Sequence, residues 1–126
     1  MSNSIAERIA AAYAAALADD RAEDLVALFG DRPRLQSPFS VWETPSTVRA
    51  VCLARTTAFH GVTVAQVLTD DDRAVVLWRA TVRGELVEGC EVLTLSAGSV
   101  ERVDVYLRPA PVLPTVYAAM SAAWPR

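Results

Sequence analysis

Few side chains in this chain join a reactive group to an apolar setting, and Glu91 is the foremost. It sits within Gly89-Cys90-Glu91-Val92-Leu93, flanked by apolar neighbours. A carboxylate there is costly unless it is paired or protonated. A raised pKa would leave a neutral acid able to donate a hydrogen bond, and carboxyls perturbed in this way cluster at functional sites. Tyr13 lies on an apolar helical stripe, where its hydroxyl can donate to a developing oxyanion or simply find a backbone partner. His60 is the single histidine; it reads either as a general base at a pocket mouth or as polar surface. Glu43 could swing inward as a base, although charged loop residues are usually solvated. Phe39, Trp42 and Phe59 suit the entrance of a ligand pocket and suit core packing equally. Asp70-Asp71-Asp72 reads as a solvated turn, since three adjacent carboxylates do not converge on one ion. No metal or cofactor is expected.

The elements that must position these groups follow from periodicity. Ser4-Ile5-Ala6-Glu7 is a capping-box pattern. Ile5, Ile9, Tyr13 and Leu17 recur every fourth residue, which predicts a first amphipathic helix. Asp20 and Glu23 open a second short helix through Leu25, Leu28 and Phe29, with Gly30 placed to end it. Arg34 to Phe39 predicts a first short strand, with Trp42 in the following loop. Pro45-Ser46 opens a third helix through Val48, Val51 and Cys52 to about Thr57. Then Gly61 to Thr69, Arg73 to Arg83, Leu86 to Ser96 and Val100 to Arg108 are rich in Val, Leu and Thr and are separated by turn signals. They predict four antiparallel strands joined by hairpins. Leu113, Tyr117, Met120 and Trp124 predict a short C-terminal helix. Three helices followed by a meander make one α+β domain over residues 1–126, with the helices on one face of the sheet.

The hairpin at Gly84-Glu85 assigns the faces. If Arg83 pairs with Leu86, then Trp78 opposes Glu91 and Val76 opposes Leu93. Val76, Trp78, Ala80, Val82, Val87, Glu91, Leu93 and Leu95 then share the core face, joined by Val103, Val105 and Leu107. A one-residue slip would turn Glu91 to water. Trp78 either supplies the apolar wall that keeps Glu91 neutral or is simply core. Leu77, Val92 and Tyr106, among Arg102, Asp104 and Arg108, fall on a mixed outer face that suits a homodimer contact.

Composition narrows the partners. Of 126 residues, 52% are hydrophobic and the net charge is −3, so the chain is expected to fold, and nucleic acid and anionic membrane are poor partners. Cys52 and Cys90 have no CxxC spacing and read as buried thiols in a reducing, cytoplasmic setting. The alanine-rich N-terminus is broken by charges, unlike a signal peptide or a membrane span.

With helices, meander and pocket carboxyl in place, the chain resembles the nuclear-transport-factor-2-like superfamily, in its SnoaL-like and ketosteroid-isomerase-like branch. Gly89-Cys90-Glu91-Val92-Leu93-Thr94-Leu95 and Val103-Asp104-Val105-Tyr106-Leu107-Arg108-Pro109 resemble that family's late strands. The resemblance implies a cone-shaped fold, a curved antiparallel sheet wrapped around an apolar pocket, and a small apolar molecule as partner. It also implies roles. Tyr13 and Glu91 match the tyrosine and the protonated acid of the ketosteroid isomerase oxyanion hole. Ser37, in Ser37-Pro38-Phe39, falls where that enzyme has its base. Serine needs an activating neighbour to abstract a proton. Ser37, Phe39, Trp42, Phe59, His60, Trp78, Val105 and Leu107 are the expected substrate contacts. The implied activity is isomerase- or cyclase-like chemistry beside a carbonyl, or ligand binding without catalysis on the same fold.

Overall fold

The computed structural model describes residues 4–126. Helix α1 spans Ile5–Ala18. The Glu7 amide donates to Ser4 Oγ at 3.0 Å and the Ser4 amide donates to Glu7 Oε1 at 3.1 Å, closing the capping box. Ile9, Tyr13 and Leu17 are buried, while Ile5 at the helix start is exposed. Helix α2, Ala22–Ala27, is only six residues long.

Gly30 does not end that helix. It belongs to strand β1, Phe29–Gln36, which begins earlier and ends earlier than the sequence predicts. The cause is tertiary. The Val100 amide donates to the Leu28 carbonyl at 2.8 Å, and Phe29 pairs with Val100, so the chain is drawn into the sheet directly after α2. Residues 37–40 then form a tight turn, with the Ser37 amide donating to the Ser40 carbonyl at 2.9 Å and the Phe39 amide to Ser37 Oγ at 3.1 Å. The turn returns Val41–Trp42 as strand β2, with Trp42 opposite Leu35. Trp42 is therefore a strand residue and not a loop residue. Helix α3, Pro45–Ala58, follows, with Thr44 capping it and proline in its first turn.

Strands β3 (His60–Thr69), β4 (Arg73–Val82), β5 (Glu85–Ser96) and β6 (Ser99–Arg108) form the meander. Among the described residues the sheet has six strands in the order β2-β1-β6-β5-β4-β3. It is mixed, because β1 runs parallel to β6. The expectation of a purely antiparallel sheet is corrected by this long-range pair, which no local pattern announces.

The β4–β5 register also differs from expectation. Arg83 (φ 50°) and Gly84 (φ 82°) are both left-handed, which is the geometry of a two-residue hairpin turn. Val82 therefore pairs with Glu85, Trp78 with Gly89, and Val76 with Glu91. The shift is two residues, so every side chain keeps its face. Irregular pairing in β3 between His60 and Thr63 and between Val64 and Gln66 bends the sheet.

Helices α1 and α3 cover the inner face, whose buried apolar residues include Val76, Val82, Val87, Leu93 and Val103. A single-turn helix at Ala110–Val112 leads into α4, Leu113–Ala123, which packs against α3. The outer face carries exposed Leu86 and Tyr106 beside the ion pairs Arg102–Asp104 and Arg108–Glu88. Among the described residues, no helix is long and apolar enough to cross a membrane.

Candidate functional site

Between α3, α4, β1, β2 and β6 lies a cavity of about 550 Å³. Its walls are largely apolar and aromatic. Trp42 from β2 stacks on Trp124 after α4, with centroids 6.1 Å apart, and Phe39 tilts against Tyr117 at 5.6 Å. Val105 and Leu107 of β6 form one side, and Val51 and Phe59 another. Ser37, Ser40 and Ser121 contribute hydroxyls.

At the base is Arg55, on α3. Its burial is unusual, at 7% exposure for a charged side chain. It is compensated by Glu91, which is 0% exposed and receives two hydrogen bonds from the guanidinium: Nη1 donates to Oε1 at 3.1 Å, and Nη2 donates to Oε2. The Tyr13 hydroxyl donates to Oε1 at 2.5 Å, and Trp78 Nε1 donates to Oε2 at 2.7 Å. A carboxylate offers about four lone-pair sites, and all are taken. Arg55 also lies over the rings of Phe59 and Trp78, at 5.9 and 5.7 Å from their centroids.

This cluster overturns the expectation of a neutral Glu91. Burial pushes its pKa upward, but the Arg55 charge and the hydrogen bonds from Arg55, Tyr13 and Trp78 outweigh burial and hold the carboxyl below its ordinary value. Glu91 is ionised and accepts hydrogen bonds; it is not a donor. Burial, and then the Glu91 charge, raise the Tyr13 phenol well above its ordinary range, so Tyr13 is a locked donor. Burial alone would lower Arg55, but the Glu91 charge reverses this and holds the cation firmly protonated.

Gly89 makes the Trp78 bond feasible. A Cβ at this position would lie 2.2 Å from Trp78 Cε2, so only glycine lets the indole lie across β5 and reach Glu91.

Of the residues singled out from sequence, Ser37, Phe39, Trp42, Phe59, Val105 and Leu107 line the cavity. Tyr13, Glu91, Trp78 and His60 do not. Tyr13 and Glu91 are wholly buried, and Arg55 links Glu91 directly to the cavity. Trp78 lies opposite Gly89 and not opposite Glu91, and its role is that of a donor to the acid and not of an apolar wall. His60 opens β3 and is exposed. Glu43 is exposed and pairs with Arg34 at 3.1 Å. Burial raises the pKa of the Cys52 thiol to about 11. Arg55 was missed by the sequence reading, although a signal existed. Val48, Val51, Cys52 and Arg55 fall at spacings of three, four and seven, so a cation continues the buried stripe of α3 and calls for a buried anion.

No family model and no curated protein matches the chain. Its fold is nevertheless well represented among solved structures, and it is the nuclear-transport-factor-2-like fold in its ketosteroid-isomerase-like form. A steroid delta-isomerase from Pseudomonas aeruginosa superposes with a TM-score of 0.85 at 18% identity, over 95% of this chain and 91% of that one. A conserved bacterial protein with a cystatin-like fold from Silicibacter pomeroyi gives 0.84 at 19% identity, over 90% and 83%. An NTF2-like protein from Cytophaga hutchinsonii gives 0.72 at 11% identity, over 90% and 97%.

Proposed function

We propose that the protein binds a small, largely apolar molecule in the cavity and directs a hydrogen-bond acceptor of that molecule at Arg55. One observation carries this reading: a nearly buried, permanently charged donor sits in an otherwise apolar and aromatic pocket. Pockets of this size, with apolar walls and few polar groups, suit small organic ligands. The guanidinium is oriented before any ligand arrives, because Glu91, Phe59 and Trp78 hold it.

The same cavity suits the isomerase- or cyclase-like chemistry of the ketosteroid-isomerase and SnoaL-like proteins, in which a carbonyl is polarised and a proton moved. Similarity to a steroid delta-isomerase supports that reading. Against it, no Asp, Glu or His is found among the described residues lining the cavity, and proton transfer needs a base within hydrogen-bonding reach. Binding without proton transfer is the reading the geometry favours.

A naphthyl ketone dye such as prodan tests both. Its emission shifts to the blue when its carbonyl leaves water. The expected result is a saturable blue shift that is lost when Leu107→Trp fills the cavity, with no accelerated exchange of the ketone α-hydrogens in heavy water. No blue shift with folded protein refutes the pocket reading. Accelerated exchange would establish the enzyme.

A further inference from the structure

We infer that the acceptor group presented to Arg55 is a carboxylate, so that the ligand class is an aromatic or alicyclic monocarboxylic acid. This deepens the pocket reading and rests on it. A guanidinium has five N–H bonds. Two of them, one on each Nη, are spent on Glu91. That pairing uses the end of the fork. Three N–H bonds remain: one on Nη1, on the Cδ side, and Nε–H and the second Nη2–H, which lie side by side on the opposite edge of the same plane.

Among the described residues, the only buried side-chain N or O without a partner is Arg34 Nε. Arg55 Nε makes no hydrogen bond within the protein and is not a sealed atom of this kind, and Arg55 lines the cavity, which puts its free edge within reach of a ligand there. Two parallel N–H donors on one guanidinium edge match the two oxygens of a carboxylate. A neutral carbonyl presents one uncharged oxygen, which must serve both donors at poorer angles and without charge assistance.

Electrostatics acts in the same direction. Glu91 balances the charge of Arg55 from the end of the fork, so the pull on an anion comes from the donor edge turned away from Glu91. No Asp or Glu side chain lines the cavity among the described residues to repel an incoming anion. The aromatic side chains Phe39, Trp42, Tyr117 and Trp124 fit the apolar body of such an acid. Arg126 at the rim is exposed, and solvent screens it.

The test is displacement of bound prodan near neutral pH by naphthalene-2-carboxylate and by its neutral counterpart 2-acetylnaphthalene. The carboxylate should displace the dye at least about tenfold more effectively, as two charge-assisted bonds against one neutral acceptor imply. That preference should vanish in the double variant Arg55→Met/Glu91→Leu, which removes the cation without stranding its partner. Equal displacement by the two compounds, displacement by neither while prodan itself binds, or a preference that survives in the folded double variant overturns the carboxylate and leaves the pocket. Failure of prodan to bind the folded wild type removes the pocket reading instead.

Discussion

Arg55 and Glu91, 36 residues apart in sequence, meet fork to fork in the core and are the two buried charged residues among those described. The pair joins α3 to the centre of the sheet and leaves its cationic side at the cavity. Tyr13 from α1 and Trp78 from β4 fill the remaining acceptor sites of Glu91, so three elements converge on a carboxylate carried by a fourth, β5.

Removing one member should be far worse than removing both. Glu91→Gln or Glu91→Leu leaves a buried cation without a counter-ion, at a cost of about 3–5 kcal/mol. The double variant Arg55→Met/Glu91→Leu replaces the pair by apolar side chains and should recover most of that loss. Urea denaturation of the four proteins in a double-mutant cycle measures the coupling. Additive losses would show that the pair is not energetically linked.

Tyr13→Phe separates positioning from ligand contact. It removes one hydrogen bond to a charged acceptor, and the expected destabilisation is about 1.5–3 kcal/mol. Tyr13 does not line the cavity, so affinity for the ketone dye should stay within about twofold, a few tenths of a kcal/mol. A large loss of affinity in a folded variant would place the phenol in direct contact with ligand.

Gly89→Ala should act through Trp78. The added methyl overlaps the indole, which must leave its place over β5 and surrender its bond to Glu91. The expected loss is about 1–3 kcal/mol from overpacking, with a changed near-ultraviolet circular dichroism signal from tryptophan. An unchanged spectrum and stability would mean that the indole is free to move.

The pH dependence follows from the lowered pKa of Glu91. Its stabilisation is fully present above the ordinary glutamate value of 4.5 and is lost as pH falls through the lower value of the folded state. Stability should therefore decline in the acid region below about pH 4.5, and Glu91→Gln should show a shallower acid limb. Denaturation midpoints measured from neutral to acid pH give the slopes directly.

Much of this architecture is legible in the sequence because it is local. The Ser4–Glu7 cap, the Ile9-Tyr13-Leu17 stripe and the alternation along β4, β5 and β6 follow from periods of four and two. Face assignment survives the two-residue register shift at Arg83-Gly84 because a shift of two preserves alternation. The β1–β6 pair was not legible, since parallel pairing is set by distant contacts. Glu91 stands out in the sequence as a buried acid, but its ionised state is not legible there, because its partner Arg55 lies far away in sequence on α3. A stripe of Val48, Val51 and Cys52 that ends in Arg55 was the available clue.

The most direct test of the account is nitrogen-15 NMR of protein labelled at arginine, titrated with an apolar carbonyl or carboxylate ligand and assigned with Arg55→Lys. The account predicts that the Arg55 Nε–H resonance shifts progressively with binding and saturates with it. A ligand that binds with the same saturation curve while the Arg55 signal stays fixed would contradict the assignment of this residue as the polar anchor of the pocket.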